Sequence, residues 1–353
     1  MSTIVDPTAT IPVREAHAMD ANRLARWLDE RRLGAGALTI QQFRGGQSNP
    51  TYLLSTAGNR YVLRRKPPGT LLPSAHAVDR EFRILNALAG SDVPVPRALC
   101  YCDDVSVAGT PFYLMEYVDG RIFWNPALPG LTPRERAAIY EEMNRVIAAI
   151  HAIDPDAAGL SDFGRRENYV ARQIERWSKQ YRASELERID SMEQLIDWLP
   201  RHLPPDEPAR ITHGDFRIDN LIFDRHELRI RAVIDWELAT LGNALSDFAY
   251  HCMPYRMPEA VRKGLAGLDL APLGIPSEQE YVERYLRRAG RTAESPSTFD
   301  FYIAFNLFRL ASILQGVAAR ARLGNASSEH ATEAGNLTRP IADLGWAQAR
   351  GVH

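Results

Sequence analysis

The stretch Ile211-Thr212-His213-Gly214-Asp215-Phe216-Arg217-Ile218-Asp219-Asn220-Leu221-Ile222-Phe223-Asp224 decides how this chain is read. A polar cluster gives way to the apolar run Leu221-Ile222-Phe223, and a second apolar run, Ala232-Val233-Ile234, delivers Asp235. Both runs have strand length. The pattern predicts a hairpin with Asp215 and Asn220 on the loop before its first strand and Asp235 at the end of its second. All three side chains offer oxygen, which suits Mg²⁺, a hard cation that shares its shell with water and phosphates. Two other readings of the same residues exist. Asp, Asn and Gly are ordinary turn formers, and His213 and Asp215 with His251 could hold a catalytic metal.

Phosphoryl transfer needs a metal clamp, phosphate positioning and a carboxylate that orients the attacking hydroxyl. Asp215 precedes Asn220 by five positions, as Asp precedes Asn in the protein-kinase catalytic loop. Asp235 then stands where protein kinases place the metal-binding Asp of their Asp-Phe-Gly element.

The remaining sequence bounds this reading. A length of 353 residues favours two domains or one bilobal unit, and 45% hydrophobic content supplies substantial cores. The net charge of −2 gives no basic footprint for nucleic acid. Three cysteines make no disulfide framework, and a cytoplasmic location is expected. Cys100 and Cys102 form a C-x-C pair, short of a four-ligand zinc site. No stretch is expected to reach the roughly 20 apolar residues of a membrane helix. Residues 1–13 lack a basic and an apolar block, so no signal peptide is expected, and residues 1–15 are expected to be flexible.

A helix is predicted over 21–32 and strands over 37–43, 51–56 and 60–65. A helix over 75–89 follows, then strands over 97–102 and 111–118. Past residue 118 the pattern turns helical, over 134–153, 168–181, 192–201, 281–290 and 301–321. This predicts an α+β, bilobal architecture: a small antiparallel β-rich lobe over 1–118 with five strands and a helix, and a larger α-helical lobe over 119–353.

In the first half, Glu81 shares a helix face with Val78 and Leu85, so its carboxylate needs a partner there. Period-2 alternation on the third strand puts Val62 and Arg64 on one face and Leu63 and Arg65 on the other. Kinases pair a strand Lys with a helix Glu, and the Lys reaches the phosphates. Arg64 and Glu81 would be that pair, with Arg in place of Lys. The alternative leaves Arg64 solvated and Glu81 at the helix margin. The loop Gly45-Gly46-Gln47-Ser48-Asn49 sits where kinases place a phosphate-covering loop, with Gly46, Ser48 and Asn49 as candidate phosphate contacts.

The chain resembles the aminoglycoside phosphotransferase-like kinases, in which His-Gly-Asp replaces the His-Arg-Asp of protein kinases. His213-Gly214-Asp215 with Asn220, followed by Ile234-Asp235-Trp236-Glu237, carries that resemblance. Three further segments are similar to the kinase-like domain that is fused, in some proteins, to acyl-CoA dehydrogenases. They are the glycine loop, Tyr61-Val62-Leu63-Arg64-Arg65-Lys66-Pro67-Pro68-Gly69, and Leu72-Pro73-Ser74-Ala75-His76. The resemblance spans roughly residues 40–255. It implies a protein-kinase-like fold and transfer of the γ-phosphoryl group of ATP to an alcohol of a small molecule. Asp215 would be the base, and Asn220 and Asp235 would hold Mg²⁺. His213 and Asp247 would brace the catalytic loop. Backbone groups around Glu116 and Val118 would meet adenine.

The acceptor is expected near Asp215. Candidate lining comes from Phe123-Trp124-Asn125, 172–180 and 250–256. Arg172, Arg176, Lys179 and Arg182 recur at helical spacing, as an anion-binding face or as a solvated one. Few acidic residues gather there, which disfavours polycationic aminoglycosides. The narrower resemblance implies a hydroxyacyl-CoA or another hydroxylated metabolite. A nucleotide-binding scaffold without catalysis is the competing class. A protein kinase is disfavoured because His-Arg-Asp, Asp-Phe-Gly and Ala-Pro-Glu are missing.

Overall fold

The computed structural model of the chain describes residues 9–34, 36–44, 49–69, 76–291, 296–322 and 330–351. The glycine-loop residues Gly45, Gly46, Gln47 and Ser48 lie outside them, as do Leu72, Pro73, Ser74 and Ala75. The chain divides into two compact units that interleave in sequence. One comprises Met1–Arg121, Ile222–Arg225 and Arg231–Glu237. The other comprises Ile122–Leu221, His226–Ile230 and Leu238–His353.

In the first unit six strands form one antiparallel sheet, in the order β1-β2-β3-β4-β6-β5. They are β1 (Thr10–Ile11), β2 (Thr39–Phe43), β3 (Thr51–Ser55), β4 (Arg60–Arg65), β5 (Ala98–Cys102) and β6 (Phe112–Glu116). Their period-2 alternation feeds both faces. Tyr52, Leu54, Leu63, Phe112 and Leu114 face α1 (Ala21–Glu30), which buries Leu24, Trp27 and Leu28 against them. Asp20 caps α1 by accepting from the amides of Asn22 and Arg23. On the other face Phe82 of α2 (Val78–Leu88) reaches the rings of Tyr101 and Tyr113. A short α3 (Val105–Ala108) precedes β6.

Two expectations fail here. The sheet has a sixth strand, because Thr10 and Ile11 pair with Phe43 and Gln42. The segment expected to be loose is tied down from residue 9. Arg14 N donates to Gln42 Oε1, and Arg65 Nη2 donates to the His17 carbonyl. A two-residue strand is too short to show alternation, so its sequence carries no signal.

The second unit is built on helices: α4 (Pro133–Ala152), α5 (Tyr169–Ala183), α6 (Asp190–Trp198), α7 (Ala244–Arg256), α8 (Leu270–Leu273), α9 (Glu278–Arg288), α10 (Pro296–Arg322) and α11 (His330–Ala349). Thr132 and Glu135 form a reciprocal capping box at the start of α4. Two short two-stranded sheets complete the chain. Strand β7 (Arg210–Thr212) pairs with β10 (Thr240–Gly242), and β8 (Leu221–Phe223) pairs with β9 (Ile230–Val233). Helix α10 is central and packs on α5, α6, α7 and α11. By length and composition it could cross a membrane, contrary to expectation, but 89% of its apolar window is buried in the protein. Helix α7 was not predicted. It is buried on nearly all sides from Ala244 to Met253, so it lacks the one-sided stripe that marks a surface helix.

Phe112 is fully buried with its ring edge-on to Trp27, 5.0 Å between centroids, and it joins α1 to the sheet. Phe112→Ala is expected to lower unfolding stability by about 3–5 kcal/mol, as read by denaturant titration.

Candidate active site

The predicted site residues fall into two clusters, one in each unit. In the second unit the organising group is Asp247, in the first turn of α7. Its Oδ2 accepts from the amide of His213 and its Oδ1 from the amide of Gly214, each at 2.8 Å. His151 Nε2 lies 3.1 Å from Oδ2. Burial opposes the charge on Asp247, yet these donors outweigh it and hold its carboxyl below the usual range. Gly214 has φ of +82°, and a Cβ there would meet the Leu238 carbonyl oxygen at 2.7 Å. This position therefore requires glycine. His213 is fully buried and its Nδ1 accepts from the amide of Asp215. Both residues expected to brace the loop thus touch its backbone.

The loop presents Asp215. Asn220 Nδ2 donates to the Asp215 carbonyl at 2.9 Å and to Asp215 Oδ2 at 3.0 Å. Tyr250 Oη donates to Asp215 Oδ1 at 2.5 Å, and Arg217 Nε stands 3.3 Å from the same oxygen. Since the Asn220 amide nitrogen is spent on Asp215, its carbonyl oxygen is the atom suited to a hard cation.

Beside this loop the second unit holds a cavity of about 250 Å³. Its walls include Trp124, Tyr140, Met143, Tyr250, Tyr255 and Met257, and its polar groups include Arg217, Asp219, Arg262 and Lys263. Two of the three expected lining segments contribute. The third does not line the cavity among the described residues, and of the four basic side chains expected to recur at helical spacing Arg176 stands over the ring of its neighbour Trp177. Lys179 pairs with Glu175, Arg182 with Glu193, and Arg172 donates to the Arg165 carbonyl.

In the first unit Arg64 is the hub. Its Nε lies 2.9 Å from Glu81 Oε2, and its Nη2 lies 2.6 Å from Asp235 Oδ1 and 3.2 Å from Glu237 Oε2. The expected pair therefore forms, and Glu81 is 1% exposed. Glu81 also accepts from Asn49 Nδ2 at 2.8 Å and Tyr113 Oη at 3.0 Å. Burial pushes the Glu81 carboxyl up, against the pull of Arg64. Burial opposes the charge on Arg64 as well, but Asp235 and Glu81 more than restore it. Asp235 sits at φ of +67°, uncommon for a residue with a side chain and frequent at functional positions. The Asn49 amide, expected to meet phosphate, is turned toward Glu81. Glu116 ends β6, where its amide donates to the Arg97 carbonyl and its carboxylate accepts from the Arg97 amide. Val118 lies just past the strand, half-buried. Gly46 and Ser48 lie outside the described residues.

Several participants were not singled out from sequence. Tyr113 is directly across from Arg64 in the β4–β6 register, a relation visible only once the strand order is known. Tyr250 fell within the expected lining 250–256, but its bond to Asp215 was not foreseen; it is three residues after Asp247, so recognising α7 would have put both on one face. Arg309, far along α10, donates to the Gly214 carbonyl at 2.8 Å, and no local pattern marks it.

The alternative metal readings do not hold. His251 Nδ1 contacts the Phe216 carbonyl at 3.2 Å and Nε2 the Tyr281 hydroxyl at 2.8 Å, so both ring nitrogens are engaged. Among the described residues no three His, Cys, Asp or Glu side chains gather as a metal site. Burial pushes the Cys100 thiol up to about 11, which disfavours a thiolate ligand.

Burial also lowers His251 from 6.5 to about 4. The unfolded chain then binds more protons between those two values. Folding stability is expected to be full above pH 6.5 and to fall as pH drops toward 4, by up to about 3 kcal/mol. His251→Gln should flatten that part of the profile, read by denaturant titration at successive pH values.

Comparison with known proteins places these clusters in context. The sequence profile described as "Phosphotransferase enzyme family" matches residues 39–297. Mouse acyl-CoA dehydrogenase family member 10 is 47% identical over 342 residues, covering 96% of this chain and 32% of that protein. The chain thus spans about a third of that relative's length. The crystal structure of a putative aminoglycoside phosphotransferase from Ralstonia eutropha JMP134 matches with a TM-score of 0.86 and 48% identity, covering 95% of this chain and 99% of that one. An aminoglycoside phosphotransferase, APH(4)-Ia, in ternary complex with AMP-PNP and hygromycin B, matches with a TM-score of 0.62 at 18% identity, covering 93% of this chain and 99% of that one, which establishes a shared kinase-like fold.

Proposed function

The chain belongs to the phosphotransferase enzyme family, and from that premise we propose that it moves the γ-phosphoryl group of ATP to an alcohol of a small molecule. The observation that carries this reading is the setting of Asp215. Its carboxylate is oriented by Asn220 and Tyr250 and adjoins a cavity of small-molecule character. In the proposed reaction the acceptor hydroxyl donates its proton toward Asp215 while its oxygen attacks the γ-phosphorus. The bond to the β–γ bridging oxygen breaks and ADP leaves.

Mg²⁺ fits the donor set, since a carboxylate at Asp235 and an amide oxygen at Asn220 are hard ligands. Those two residues would hold it, and it would neutralise phosphate charge. Arg64, kept cationic by Glu81 and Asp235, supplies a fixed positive charge for the nucleotide phosphates.

The acceptor proposed is a hydroxylated metabolite with an apolar part and an anionic group, such as a hydroxyacyl-CoA. Aromatic and methionine walls suit the first, and Arg262 and Lys263 suit the second. The name of the mouse relative points to acyl-CoA chemistry. Hygromycin B, bound by the more distant relative, is a poorer match, because cations outnumber the single carboxylate of Asp219 among these lining residues.

Assays of ATP-dependent phosphorylation over a panel of hydroxy acids and their CoA esters test the reading. Asp215→Asn is expected to reduce transfer by about 10²–10⁴-fold with nucleotide affinity retained. Asp235→Ala is expected to lose the Mg²⁺-dependent part of nucleotide binding. Transfer at the wild-type rate by Asp215→Asn would overturn the assignment of the base.

A further inference from the structure

Tyr250 holds a hydroxyl on the very oxygen of Asp215 that an acceptor alcohol would need. Its Oη donates to Asp215 Oδ1 at 2.5 Å, while Asn220 occupies Oδ2. The Tyr250 ring is 4% exposed and forms part of the cavity wall. Its placement is fixed from behind. The guanidinium of Arg309 stands 5.2 Å from the ring centroid and also donates to the Gly214 carbonyl at 2.8 Å. One buried cation thus fixes both the tyrosine and the loop that carries Asp215.

A kinase needs such a device. Water is smaller than any acceptor alcohol and far more concentrated. A base open to solvent would orient water toward the γ-phosphorus and hydrolyse ATP. We propose that Tyr250 is the residue that makes this enzyme select alcohol over water: its hydroxyl occupies the nucleophile position on Asp215 until the acceptor displaces it. The inference rests on the reading of Asp215 as the base. Burial pushes the Tyr250 hydroxyl well above the ordinary phenol range, so it keeps its proton and remains a neutral placeholder. An acceptor bound in the cavity supplies its own hydroxyl to Oδ1, together with contacts to the cavity walls that water cannot make.

The side reaction held back is fully specified. A water oxygen bonds to the γ-phosphorus, the bond to the β–γ bridging oxygen breaks, ADP and phosphate are released, and the water proton passes to the Asp215 carboxylate. Tyr250→Phe removes the hydroxyl and keeps the ring over Arg309. It is expected to raise acceptor-free ATP hydrolysis by about tenfold or more and to lower the apparent KM for the acceptor, since no hydroxyl has to be displaced. The excess hydrolysis should vanish in Asp215→Asn/Tyr250→Phe. Tyr250→Leu removes the same hydroxyl with different packing and should also raise hydrolysis. ADP release without acceptor is the readout, with thermal melting as the folding control.

Unchanged or reduced hydrolysis in folded Tyr250→Phe and Tyr250→Leu would overturn the proposal. So would excess hydrolysis that survives removal of the Asp215 carboxylate. Failure of the underlying reading looks different: Asp215→Asn would then phosphorylate the acceptor at the wild-type rate, whatever Tyr250 variants do.

Discussion

The carboxylate of Asp247 is the constraint on which the loop carrying Asp215 depends. It is buried and it accepts from two successive backbone amides of that loop, with His151 behind it. A buried carboxylate with good donors is stable, and one that loses them is costly. The loop is therefore held where those donors are aligned. Gly214 follows from the same constraint, because its left-handed backbone and the Leu238 carbonyl leave no room for a Cβ. With the loop fixed, Asp215 faces Asn220 and Tyr250, and the remaining chemistry becomes available.

The first unit repeats this logic with the charges reversed. Arg64 is a buried cation that keeps its charge because carboxylates surround it. Strand alternation turns its side chain toward α2, while its neighbour Arg65 turns to the other face and donates to the Tyr52 hydroxyl. Two adjacent arginines thus serve separate ends. One is set for nucleotide phosphates in the proposed reaction. The other ties the first residues of the chain to the sheet through the His17 carbonyl.

Much of this was legible in sequence where a local period or spacing existed. The strand alternation at Val62-Leu63-Arg64-Arg65 and the position of Glu81 on its helix predicted their ion pair. The five-residue interval from Asp215 to Asn220 marked the two as residues of one loop, but it did not foresee that the Asn220 amide donates to Asp215. What stayed hidden has a common physical cause. Helix α7 is buried nearly all round, so no polar face betrays its period. Arg309 and Tyr113 reach their partners through packing between elements distant in sequence. The sixth strand is two residues long and is defined by its partner, not by its own pattern. The proposed acceptor is encoded least of all, because it is inferred from how side chains from several helices and loops meet around one cavity.

The most direct test of phosphoryl transfer to a small-molecule alcohol is mass spectrometry of a metabolite extract incubated with the protein and Mg-ATP. The account predicts that a hydroxylated, anionic metabolite gains one phosphoryl group, and that Asp215→Asn abolishes the gain. ADP formation with no phosphorylated product, at equal rates in the wild type and in Asp215→Asn, would contradict it.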